Sequence, residues 1–82
     1  MGNQAKQTKS RIEIGLRIKK CRKKKKLKSA DCATLYGVPR TSWSRMETGI
    51  SAFDSDDLFA LSKFLHVRPA WLLTGEGEME VE

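Results

Sequence analysis

Ser29-Ala-Asp-Cys-Ala-Thr-Leu-Tyr-Gly-Val-Pro-Arg-Thr-Ser-Trp-Ser-Arg-Met-Glu47 is the stretch whose reading decides the fold. Its apolar residues are Cys32, Ala33, Tyr36, Val38, Trp43 and Met46. Cys32 and Tyr36 are four apart and share a helical face, as do Trp43 and Met46, three apart. Gly37 falls between the two pairs and supplies the left-handed backbone that often ends a helix. The pattern predicts two short helices joined by a tight turn. Val38 plugs the gap between them, and Ala33 is small enough for a close crossing. The second helix turns Arg40, Thr41, Ser44 and Arg45 outward.

Working outward, the flanks also read as helices. Ser10-Arg-Ile-Glu13 fits a capping box and predicts the start of a first helix. Ile14, Ile18 and Cys21 then recur at i, i+4 and i+7, with Leu27 closing the stripe. After Glu47, Gly49 suits a C-terminal cap. Asp54 or Ser55 opens a fourth helix with acids in its first turn, and Leu58, Leu61, Phe64 and Leu65 form its buried side. His66 stands where a helix is expected to be capped. Pro69 opens a short fifth helix carrying Trp71, Leu72 and Leu73, and Gly75 ends it. The expected organisation is a basic disordered arm over 1–9, one small all-α domain over 10–75 and an acidic disordered tail over 76–82.

Charge is divided unevenly. Residues 1–28 hold twelve Lys and Arg against one acid, Glu13, a balance of +11; residues 29–82 hold four against nine, a balance of −5. A basic first third suggests a polyanionic partner, although a solvated face or a flexible tail gives the same composition. The run Lys23 to Lys26, with Lys19 and Lys20, crowds the end of the first helix. There cations suit the helix dipole but repel one another. A nearby phosphate backbone would relieve that repulsion. No apolar run is long enough to span a bilayer, and no signal-peptide pattern is present, so a cytoplasmic location is the default. Cys21 and Cys32 fall at apolar helical positions and read as buried thiols rather than a disulfide or metal pair. With one histidine, no phosphate-loop glycines and no nucleophile–His–carboxylate set, neither an enzyme nor a cofactor or metal site is expected.

The central stretch resembles the helix-turn-helix of the lambda-repressor and Cro-like (XRE-type) family of transcriptional regulators. Cys32, Ala33, Tyr36, Gly37, Val38, Trp43, Met46 and Glu47 carry the likeness. It extends from Ile14-Gly15-Leu16-Arg17-Ile18 to Trp71-Leu72-Leu73-Thr74-Gly75. The resemblance implies a compact five-helix, lambda-repressor-like DNA-binding domain, with helices 2 and 3 forming the motif. It implies a homodimer on a palindromic double-stranded operator, with half-sites about 34 Å apart. Helix 3 would enter the major groove and set Arg40, Thr41, Ser44 and Arg45 against base edges, arginine being suited to the N7 and O6 of guanine. Lys25, Lys26, Lys28, Ser29 and Ser42 would hold phosphates. The resemblance further implies that Arg22 pairs with Glu47 and ties helix 1 to helix 3. Dimer contacts in relatives lie near Trp71, and Ile50 and Phe53 either fold onto the core or join that surface.

The sequence also departs from the family pattern. Ser29 stands where relatives commonly have glutamine, which weakens one phosphate clamp. Trp43 replaces a branched aliphatic residue. It is expected to fill space between helices 1, 2 and 4, with base stacking as the other option, and its indole N–H needs a partner when buried. The leading functional expectation is a phage- or bacterial-type repressor. A protein-interaction adaptor such as an antitoxin or anti-repressor is the alternative, and non-specific nucleic-acid binding, RNA included, is a third.

Overall fold

A computed structural model describes residues 8–80, which form five helices and no named strand. The expectations for residues 1–7 and 81–82 lie outside the described residues. The helices are α1 (Lys9–Lys24), α2 (Ser29–Tyr36), α3 (Arg40–Glu47), α4 (Ser55–Leu65) and α5 (Pro69–Thr74). The chain divides into two compact units, Met1–Ala52 and Phe53–Glu82.

In the first unit, α1 buries Ile14, Ile18 and Cys21, the stripe expected from their spacing. Its start differs from the expectation. Thr8, not Ser10, is the N-cap, and its Oγ1 accepts the Arg11 N–H at 3.2 Å. Ser10 therefore lies inside the helix. Glu13 faces Arg17 one turn on, at 3.9 Å, rather than reaching back to cap.

A position without a side chain sets the contact of α1 with α3. A Cβ built on Gly15 would meet the carbonyl oxygens of Met46 and Glu47 at 2.5 and 2.6 Å. The helix therefore crosses the end of α3 at a distance only glycine allows. Gly49 makes a second close approach: its φ is +83°, and an added Cβ would lie 2.8 Å from the Ile12 Cα.

The turn between α2 and α3 follows the sequence reading. Gly37 caps α2 at φ +90°, and its N–H donates to the Ala33 carbonyl at 2.9 Å. The Val38 N–H donates to the same oxygen at 3.0 Å, which closes the turn. Pro39 is then the N-cap of α3, its fixed φ matching the extended entry.

In the second unit, Asp54 and Asp57 form a full capping box. The Asp57 N–H donates to Asp54 Oδ1 at 2.9 Å and the Asp54 N–H to Asp57 Oδ2 at 3.1 Å. Leu61 and Leu65 are buried on α4, and Trp71 and Leu72 on α5. His66 caps α4 in the left-handed conformation, φ +59°, as its position suggested.

The tail expectation needs correction over residues 76–80. Glu80 forms an antiparallel bridge with Val67, and the Arg68 N–H donates to the Met79 carbonyl at 2.9 Å. The backbone between α4 and α5 is extended and offers ladder groups. Gly75 and Gly77, both at positive φ, turn the chain back to meet them.

Candidate nucleic-acid interface

The site is built around Glu47, a carboxylate whose side chain is only 7% exposed. It is held by three donors. Arg22 Nε donates to Oε2 at 2.5 Å and Nη2 to Oε1 at 3.1 Å, a bidentate pair. Trp43 Nε1 donates to Oε2 at 2.6 Å. The Arg22–Glu47 tie expected from the resemblance is thus present. The same carboxylate satisfies the buried indole, and a four-residue spacing along a helix is the signal that could have revealed this. Trp43 is fully buried and meets the Tyr36 ring edge-on, with centroids 5.7 Å apart. It fills core space, so it is not available to stack on a base. The hydrogen bond to Glu47 holds the Arg22 guanidinium above its ordinary pKa, against the opposing effect of burial.

Arg22 also reaches the basic turn. Its Nη1 donates to the Leu27 carbonyl at 2.9 Å. One guanidinium thereby fixes α3 and the 25–28 turn with respect to α1. Within that turn Lys25 caps α1, Lys26 is left-handed at φ +59°, and Lys28 is the N-cap of α2. All three are exposed, while Ser29 is half-buried at the start of α2. Helix α2 has its capping acid three residues after Lys28. Asp31 stands at that position and accepts the Lys28 N–H at 3.2 Å.

On α3, Arg40, Thr41, Ser44 and Arg45 are all exposed. Thr41 and Arg45 are four apart, and so are Arg40 and Ser44, giving two neighbouring ridges. Five residues separate the arginines, so they leave the axis about 140° apart. Thr41 and Ser44 occupy the middle of the face and the guanidinium groups flank it. Ser42 lies to one side, half-buried.

Of the residues expected at a dimer surface, Trp71 is only 8% exposed. Its place in the core of the second unit leaves little of it to offer a partner. Ile50 and Phe53 are half-buried. The large apolar side chains exposed in the second unit are Phe59 and Leu73.

Among the described residues, no group of three or more His, Cys, Asp or Glu is placed to hold a metal ion. No helix among them is long and apolar enough to cross a membrane. Cys21 and Cys32 are free and buried, and burial pushes the Cys32 thiol up, with Arg22 opposing.

Two short helices, a glycine turn and an exposed polar and basic face on the second helix define a helix-turn-helix. A family model described as helix-turn-helix matches residues 18–72, and the chain belongs to that family, in its lambda-repressor and Cro-like (XRE) branch. The uncharacterized HTH-type transcriptional regulator YqaE of Bacillus subtilis (strain 168) is 36% identical over 64 residues, 78% of this chain and 55% of that protein. The chain therefore spans about half the length of this relative. The P22 c2 repressor, solved in complex with synthetic operator 9T, is similar at a TM-score of 0.68 and 35% identity, over 77% of this chain and 96% of that one. The restriction-modification controller protein C.AhdI from Aeromonas hydrophila is similar at a TM-score of 0.65 and 24% identity, over 74% and 92% of the two chains, a likeness of fold.

Proposed function

We propose that the chain is a sequence-specific, double-stranded-DNA-binding transcriptional regulator of the repressor type, acting in the cytoplasm as a homodimer on an inverted repeat. The observation that carries this reading is the exposed face of α3 held rigid from behind by Arg22, Trp43 and Glu47. A reading helix must keep its register to within a fraction of a base step, and a buried carboxylate with three donors supplies that rigidity. The likeness to a repressor solved on its operator supports the reading.

Thr41 and Ser44 face the floor of the major groove, with Arg40 and Arg45 on the groove's two sides. Lys25, Lys26, Lys28 and Ser29 hold one phosphate strand, and Ser42 holds another phosphate. The phosphate contacts supply salt-dependent affinity, and the groove contacts supply selectivity. Selection of bound DNA from a random pool tests this. Arg45→Ala relaxes the preference at one base pair, by about 1–3 kcal/mol of discrimination. Lys26→Ala weakens all sequences alike and lowers the salt slope by about one. A pool with no consensus, bound with a steep salt slope, would overturn the sequence-specific reading.

A further inference from the structure

α4 carries two stripes. Leu58, Leu61, Ser62 and Leu65 recur at i, i+3, i+4 and i+7, Leu58 half-buried and the rest buried. Asp56, Phe59, Ala60 and Lys63 recur with the same spacing about 160° away and are all exposed. Phe59 is 58% exposed, a large aromatic ring left in solvent at the middle of this second stripe. Neither the Asp56 nor the Lys63 side chain has an ion-pair partner among the described residues. The stripe thus has an acidic end, an aromatic beside a small residue, and a basic end.

We infer that this stripe is the surface on which a second copy of the chain docks, with the two α4 helices antiparallel across a two-fold axis. The inference rests on the homodimer reading above and names its surface. The argument is one of register. In an antiparallel pair related by a two-fold axis between positions 59 and 60, Phe59 falls opposite Ala60 of the second copy. The same axis places Asp56 opposite Lys63. One register therefore satisfies the aromatic ring, the small residue and both charges at once. An isologous interface requires a surface complementary to itself in this way. The two ion pairs lie about 10.5 Å apart along the axis, bracketing the apolar contacts. Pro69 and Leu73, half-buried and half-exposed on α5, line a hollow of about 170 Å³ beside Phe59 and extend the apolar area. A single helix with such a rim is smaller than a standard stable interface, so the free dimer is weak and tightens on DNA.

Charge exchange tests the register without DNA. Asp56→Lys sets Lys against Lys at both ends, and Lys63→Asp sets Asp against Asp. Sedimentation of each variant alone shows a dimer dissociation constant raised about tenfold or more. A one-to-one mixture of the two variants makes both contacts attractive and restores wild-type dimerisation. That recovery also shows that both variants are folded. Phe59→Asp abolishes dimers in every combination. Unchanged dimerisation of the single variants, no recovery in the mixture, or a wild-type chain that stays monomeric at about 100 μM would overturn the inference. Titration of each variant onto one half-site of the selected consensus keeps the two readings apart. Undiminished half-site binding with lost dimerisation supports both. Failure of the wild-type chain to bind that half-site would remove the DNA reading and leave the dimer result standing.

Discussion

The two units hold their helices together by different means. In the first, α1 and α3 meet through a glycine contact and a buried charged cluster, with Arg22, Trp43 and Glu47 sharing two carboxylate oxygens. In the second, α4 and α5 rely on leucines, Trp71 and well-formed caps, and an ion pair there, Arg68 with Glu78, is exposed and 3.9 Å long. Polar clusters fix geometry because every donor must find its acceptor, and they are unforgiving when one member is lost. Apolar packing tolerates small shifts. The unit that carries the exposed polar and basic face of α3 uses the stricter device.

The contrast is sharpest at Glu47. Glu47→Ala leaves a part-buried guanidinium and a buried indole N–H without their acceptor, and a loss of about 3–5 kcal/mol is expected from urea unfolding. Arg22→Ala falls in the same class, while Lys23→Ala, on the exposed side, stays within about 0.5 kcal/mol. Gly15→Ala comes next. Helix propensity alone favours alanine by about 1 kcal/mol, yet the carbonyls of Met46 and Glu47 leave no room. A net loss of about 2 kcal/mol is expected, with the sign deciding between propensity and close approach. Asp54→Ala, in the second unit, costs about 1 kcal/mol through its lost cap. If Glu47→Ala proved as mild as Asp54→Ala, the distinction between the units would fail.

The smallest effect concerns pH. Burial raises the Cys32 pKa, so the folded chain holds its thiol proton more tightly than the unfolded one. The proton linkage then lowers stability only as pH rises past the unfolded thiol value, about 8.5, and has no effect below it. Cys32→Ala should flatten that alkaline slope in melts between pH 8 and 10 (about the range where an unfolded thiol titrates).

Much of this was legible in the sequence because periodicity and capping chemistry are local. The stripe Ile14, Ile18, Cys21, the Gly37 turn, the Asp54 cap and the His66 cap all come from spacing. The Arg22–Glu47 pair came from the family resemblance. What escaped has a non-local cause. Thr8 and Ser10 carry the same capping group, and nothing between them says which the backbone uses. Gly15 sits inside a helix and gives no sign that another backbone lies against it. The Val67–Glu80 bridge joins two single residues, too short for an alternating pattern. The outward stripe of α4 has the same period as its buried one, so hydrophobic spacing gives Phe59 no separate signal, and the family resemblance points to Trp71 instead.

The chain contains two tryptophans, one in each unit: Trp43, bonded to Glu47, and Trp71, packed in α5. Replacing either with phenylalanine would leave a single tryptophan, whose emission on excitation at its red edge reports the unit that carries it. Stopped-flow fluorescence of the pair of variants would then time the melting of each half of the molecule separately, without any attached dye.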